Sequence, residues 1–71
     1  MEDREIETIE FIDLGSGAPA VAIVRQCEGN VGLTLSIQRN GDLEVMLDTA
    51  SAQKLADAIN ERIEMIARTS R

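Results

Sequence analysis

VGLTLSIQRNGDLEVMLD, residues 31–48, decides the fold of this chain. Apolar and polar residues alternate on both sides of Arg39-Asn40-Gly41. This pattern is typical of two antiparallel strands that share one buried face, and it predicts strands at 31–38 and 43–47. The apolar side of the pair consists of Val31, Leu33, Leu35, Ile37, Leu43, Val45 and Leu47.

The pairing of the two strands shows which turn connects them, because each loop length imposes a different register. Asn-Gly favours a two-residue hairpin loop, but that loop would pair Ile37 with Glu44 and set every apolar residue against a polar one. A three-residue loop, Arg39-Asn40-Gly41, pairs Ile37 with Leu43 and places Gly41 in the left-handed position of a bulge. The sequence therefore predicts the three-residue loop.

A capped helix follows the hairpin at 48–69. Asp48 is the predicted N-cap, because its carboxylate can accept hydrogen bonds from the free amides of the first turn. From Ala52 onward, apolar residues recur every three or four positions, which indicates an amphipathic helix near 49–68. The predicted core consists of Leu33, Leu35, Ile37, Leu43, Val45, Leu47, Leu55, Ile59, Ile63 and Ile66.

Two further strands precede the hairpin, near 5–13 and 20–27. Residues 15–19, GSGAP, interrupt any regular structure. They form either a loop within one subunit or a hinge that lets the first strand pair with a second copy. Residues 20–47 then form a three-stranded meander. The predicted fold class is α+β: one domain, 1–71, with a four-stranded, mostly antiparallel β-meander and one C-terminal amphipathic helix packed on one face (β-β-β-β-α).

The net charge of −6 lies mostly at the start of the chain. Residues 1–14, the acidic first strand, hold six acidic residues against Arg4 alone, a charge of −5. We expect no direct binding to nucleic acid, because the chain has no basic face and only one aromatic residue, Phe11. The acidic strand is either a solvated, solubilising segment or a docking surface for a basic partner protein.

The residue types argue against an enzyme. Without histidine the usual general base is missing, and Cys27 has neither a base nor a second cysteine beside it. The pairs Glu5/Glu7 and Asp42/Glu44 have too few oxygen ligands for a calcium site, and the glycines form no phosphate-binding fingerprint. We predict no catalytic, cofactor-binding or metal-binding residues.

The first ten residues do not have the pattern of a signal peptide. No apolar run approaches the roughly eighteen residues of a membrane span. A lone cysteine fits a reducing compartment. We therefore expect a cytoplasmic protein that does not enter a membrane.

Small size predicts a homodimer. A chain of this length buries only about 60% of its unfolded surface, and here neither a disulfide nor a zinc site can compensate. The helix, about 30 Å long, is longer than the third strand, about 26 Å, so Ile63 and Ile66 are expected to overhang the sheet. Ala58 and Met65 form a smaller flanking stripe, either ordinary surface or a seam for a second subunit.

Three functions are compatible with these features. The best interpretation is a small, acidic, non-enzymatic protein-interaction module, acting as a homodimer. The alternatives are an acidic inhibitor of the phage or mobile-element kind that mimics nucleic acid at a basic site, and a ligand-binding protein or minimal enzyme with a site between subunits. The candidate interaction residues are Glu5, Glu7, Glu10, Phe11, Ala58, Met65 and Ile66.

Overall fold

A computed structural model describes residues 6–38 and 41–69. Four strands form one antiparallel sheet in which each strand pairs with the next along the chain, and a single helix follows. The predicted α+β class and the order β-β-β-β-α are confirmed. The elements are β1 (Ile6–Ile12), β2 (Pro19–Cys27), β3 (Asn30–Ile37), β4 (Gly41–Leu47) and α1 (Thr49–Thr69).

One face of the sheet is almost wholly apolar. Cross-strand pairing aligns Ile9, Ala22, Leu35 and Leu43 in one row across all four strands, because directly opposed residues point to the same side. We call this side the apolar face and the other the mixed face. The apolar residues of this face are Ile9, Phe11, Ala20, Ala22, Val24, Val31, Leu33, Leu35, Ile37, Leu43, Val45 and Leu47, and the polar residues Glu7 and Gln26 lie on it as well.

The β3–β4 hairpin has the predicted faces but a different register. Leu35 pairs with Leu43 and Ile37 with Gly41, so the predicted pairing of Ile37 with Leu43 is wrong by two residues. A shift of two leaves every side chain on its own face, so alternation along the sequence cannot detect it. Gly41 adopts the predicted left-handed conformation, with φ of 85°; residues 39–40 of the predicted loop lie outside the described part.

Strand β1 exposes apolar residues on both faces of the sheet. Its pairing with β2 runs unbroken from Ile6 to Ile12. Ile9 and Phe11 lie on the apolar face, and Ile6 and Ile12 on the mixed face. All seven residues of β1 are exposed, so this edge strand is open to solvent on both faces.

The glycine-rich segment forms an ordered loop between β1 and β2 of the same chain. The Asp13 carboxylate accepts hydrogen bonds from the Ser16 hydroxyl at 2.7 Å, the Gly15 amide at 3.3 Å and the Ser16 amide at 3.0 Å. These bonds, the Ser16 hydroxyl above all, lower the pKa of Asp13. Gly17 has a φ of 78°. Asp13 therefore organises the turn that places β1 beside β2.

The β2–β3 hairpin closes on a two-residue turn, Glu28-Gly29. Cys27 pairs with Asn30 across it, and the turn residues have φ of 52° and 83°. Positive φ at both central positions is the requirement of a type I′ turn. Glu28 meets it at a cost, since a left-handed conformation is unfavourable by about 1–2 kcal/mol for most residues that carry a Cβ.

Replacing Glu28 with asparagine should stabilise the protein by about 1 kcal/mol, because asparagine tolerates this conformation better. Urea unfolding at a fixed protein concentration measures the change. Glu28→Gln is the matched control: it removes the charge, keeps the conformational cost and should leave the midpoint unchanged. If Glu28→Asn is no more stable than Glu28→Gln, the expectation is contradicted.

The helix begins at the predicted cap. The Asp48 carboxylate accepts a hydrogen bond from the Ser51 amide at 3.0 Å, and the Asp48 carbonyl accepts one from the Ala52 amide at 2.9 Å. Hydrogen bonding from Ser51 lowers the pKa of Asp48. The cap leaves Asp48 as the only residue between β4 and α1.

This cap predicts a pH dependence. A carboxylate whose pKa is lower in the folded than in the unfolded chain stabilises the fold above its unfolded pKa. That contribution is lost as the pH falls below about 4 and through the folded pKa. Asp48→Asn keeps a capping side chain without the titration. Its thermal midpoint should therefore fall less than the wild-type midpoint between pH 5 and about pH 2.5; parallel losses would contradict the expectation.

The predicted core is not buried within one chain. Among the described residues only Ala20, Gly32 and Thr34 are buried. Of the ten predicted core residues, Leu33, Ile37 and Leu47 are half-buried and the other seven are exposed. The helix contacts β3 and β4 but buries none of its residues. The prediction was wrong because it assumed that the helix lies flat across its own sheet.

Candidate interaction surface

The helix presents its apolar stripe to solvent. We define the helix stripe as Leu55, Ala56, Ile59, Ile63 and Ile66, which recur at helical spacing on one side of α1. Ala52, just before it, is half-buried. Exposure then rises along the stripe from 42% at Leu55 to 54% at Ile59, 58% at Ile63 and 66% at Ile66. The helix therefore moves away from its own sheet as it proceeds.

The apolar face of the sheet is exposed in part: five of its apolar residues are exposed, six are half-buried and Ala20 is buried. Leu43 is 61% exposed, Ile9 48%, Phe11 43% and Val45 41%. Ala20 and Ala22 lie in the middle of this face, so the larger side chains stand on either side of a strip of small residues. One small chain thus carries two apolar surfaces, one on the sheet and one on the helix.

The whole chain exposes more surface than its mass predicts. Its accessible surface is 5786 Å², whereas a compact monomer of 7.7 kDa exposes about 4,300 Å². The radius of gyration, 14.1 Å, likewise exceeds the roughly 11 Å of a compact chain of this length. Over residues 6–38 and 41–69, the single chain therefore has no second layer that closes its core.

The structure distributes the predicted interaction residues over several surfaces. Phe11 and Glu7 lie on the apolar face and Glu10 on the mixed face. Ile66 belongs to the helix stripe, whereas Ala58 and Met65 lie on the flank of the helix, about 80° and about 100° around it from Ile66 at 100° per residue. Glu5 falls outside the described residues. The six described positions do not form one patch.

The sequence interpretation missed the residues that form the exposed apolar surfaces. Ile9 was left out, and Leu35, Leu43, Val45 and Ile59 were assigned to a core within one subunit. One signal was available: Asp48 follows β4 directly and caps the helix, so the connection is a single residue. So short a connection restricts how a helix can fold back over the strand that precedes it.

The acidic residues of β1 do not converge. Glu7 and Glu10 are both exposed but point to opposite faces of the sheet. On the mixed face, Asp42 accepts a hydrogen bond from the Ser36 hydroxyl at 2.7 Å. The interpretation as an acidic mimic that fills a basic site, and the capture of a basic partner, stay predictions.

Two open depressions lie at opposite ends of the sheet. One, of about 680 Å³, is lined by Glu10, Phe11 and Gln38 among others, and Glu10 is its one titratable residue. The other, of about 470 Å³, includes Glu7, Arg25 and Thr49. No group of three or more potential metal ligands occurs in the described ranges.

Two polar atoms on the mixed face are buried without a hydrogen-bond partner, Arg25 Nε and Thr34 Oγ1. Arg25 lies over Gly32, where a Cβ would be 3.5 Å from Nε, and Gly32 pairs with it across the strands. Thr34 is 6% exposed, although it lies on the side of β3 opposite the apolar residues. The side chains around these two residues shield them without supplying acceptors.

Comparison with known proteins identified no relative. No protein family, no curated protein and no solved structure matches this chain. Over residues 6–38 and 41–69, no helix combines the length and apolarity needed to cross a membrane. Function must therefore be argued from the surfaces described above.

Proposed function

We propose that this protein is a small, non-enzymatic interaction module that works as a homodimer through its apolar face and helix stripe. The observation that carries the proposal is the exposure of both surfaces on one chain. Isolated soluble monomers rarely expose large contiguous apolar patches, and such patches mark interaction sites. A second copy is the occupant that we favour, because it offers the same two surfaces in return.

The surface area supports a permanent dimer rather than a transient one. The chain exposes about 1,500 Å² more than a compact monomer of its mass. Burying that excess on both subunits removes about 3,000 Å² in total, which lies within the range of obligate homodimers. The free, exposed thiol of Cys27 suits a reducing compartment, and we include a cytoplasmic location in the proposal.

Size-exclusion chromatography with light scattering tests the dimer. We expect twice the chain mass of 7.7 kDa at tens of micromolar. The chain has neither tryptophan nor tyrosine, so refractive index is the suitable concentration detector. A single species of 7.7 kDa at that concentration would overturn the proposal.

A second measurement links assembly to folding. If the core is completed by the partner, the thermal midpoint followed by circular dichroism should rise with protein concentration, because mass action favours the folded dimer. Tenfold dilution steps from about 100 μM to about 1 μM cover the relevant range. A midpoint that stays constant over those steps would contradict the coupling.

A further inference from the structure

We propose that the two subunits exchange their helices, so that the helix stripe of each lies on the apolar face of the partner's sheet. This inference rests on the proposed function, since it requires a homodimer. It adds which surfaces meet in that homodimer. Each helix packs on the partner's sheet, and the interface is neither helix against helix nor sheet against sheet.

The path of the chain at Asp48 is the first argument. β4 ends at Leu47 and α1 begins at Thr49, and the capping bonds from Ser51 and Ala52 hold the residue between them. Leu55 is 42% exposed, but Ile63, two turns further on, is 58% exposed. The connection thus directs the helix off its own sheet, and short connections of this kind favour exchange between copies.

The second argument is the match between the two surfaces. The helix has 21 residues and is about 31 Å long, whereas the strands have 7 to 9 residues and span about 23–30 Å. The apolar face offers small residues, Ala20 and Ala22, between larger ones. A helix carrying Ile59 and Ile63 fits such a strip, because large side chains pack best against small ones.

The third argument is that reciprocal packing covers all four surfaces at one two-fold interface. If the helices paired only with each other, both apolar faces would remain in water. If the sheets paired only with each other, both helices would lack the packing of their apolar stripes, from which most helical stability in proteins comes. Reciprocal helix-on-sheet packing leaves neither surface exposed.

Isotope-filtered nuclear Overhauser spectroscopy on the wild-type protein tests the arrangement. Labelled and unlabelled chains are unfolded together in denaturant and refolded as a one-to-one mixture, so that half of the dimers are mixed. Phe11 is the only aromatic residue, so its ring protons report unambiguously on the apolar face. We expect intermolecular contacts from the methyl groups of Ile59 and Ile63 to those of Leu35 and Leu43, or to the Phe11 ring.

Each other outcome has a defined meaning. Intermolecular contacts confined to helix with helix, or to sheet with sheet, would overturn the exchange and keep the homodimer. Helix-to-sheet contacts found only within one chain would overturn it as well. A monomer in light scattering would contradict the homodimer and the helix exchange together. A dimer without intermolecular helix-to-sheet contacts would contradict the exchange alone, so the two failures are distinguishable.

Discussion

Replacing Ile63 with aspartate should dissociate the homodimer. Ile63 belongs to the helix stripe, and in the proposed assembly the Ile63 side chain of each subunit is covered by the partner's sheet. An unpaired carboxylate in such a place is destabilising by about 3 kcal/mol or more. The two-fold symmetry repeats the change, so about 6 kcal/mol is lost per dimer and the dissociation constant should rise about 10⁴-fold.

Met65→Asp is the matched control for this substitution. Met65 is 52% exposed in the single chain and Ile63 58%, so the two positions look alike in isolation. They face nearly opposite sides of α1, however, and an aspartate at Met65 should stay in water. Sedimentation velocity on both variants measures the difference. If Met65→Asp dissociates the dimer and Ile63→Asp does not, the seam lies on the Ala58–Met65 flank instead.

Lengthening the connection before the helix should convert the dimer into a monomer. Inserting Gly-Ser-Gly-Ser between Leu47 and Asp48 keeps the cap and frees the helix to fold back over its own sheet. A flexible linker of this kind gives an effective concentration in the millimolar range. At about 10 μM protein, the helix of the same chain should therefore outcompete the partner's helix by about 100-fold.

Light scattering measures the mass of this insertion variant, and circular dichroism measures its helix content. We expect a species of single-chain mass with unchanged helix content. The control places the same four residues between Ser16 and Gly17, in the β1–β2 loop, where the path of the helix is unaffected and the dimer should persist. An insertion at Leu47 that leaves the dissociation constant unchanged would show that connection length does not direct the assembly.

Much of the fold follows from short-range patterns. Alternation from Val31 to Leu47 assigned each side chain to its face, and the apolar spacing after Ala52 located the helix. Asp48 and Gly41 were identified by the chemistry of caps and left-handed turns. Each of these features depends on neighbours a few residues away, which the sequence displays directly. The β3–β4 register was missed because a shift of two residues preserves the alternation.

The interaction surface was predictable only in part. Phe11 and Ile66, both selected from the sequence, lie on the exposed apolar surfaces, whereas Leu43 and Ile59 were expected inside one subunit. The apolar periodicity around Leu43 and Ile59 is the same whether the layer that covers these residues comes from the same chain or from another. Glu7 and Glu10 looked like one acidic cluster in the sequence, but alternation along β1 places them on opposite faces.

The sequence by itself determined which elements form, in which order, and which side of each must be removed from water. The tertiary structure decided that the helix leaves its own sheet after Ala52, so that neither Leu43 nor Ile63 is covered within the chain. The physical reason is that the hydrophobic effect is non-directional. An apolar stripe specifies that it must be buried, but the length and geometry of the connection at Asp48 decide which surfaces within the chain it can reach.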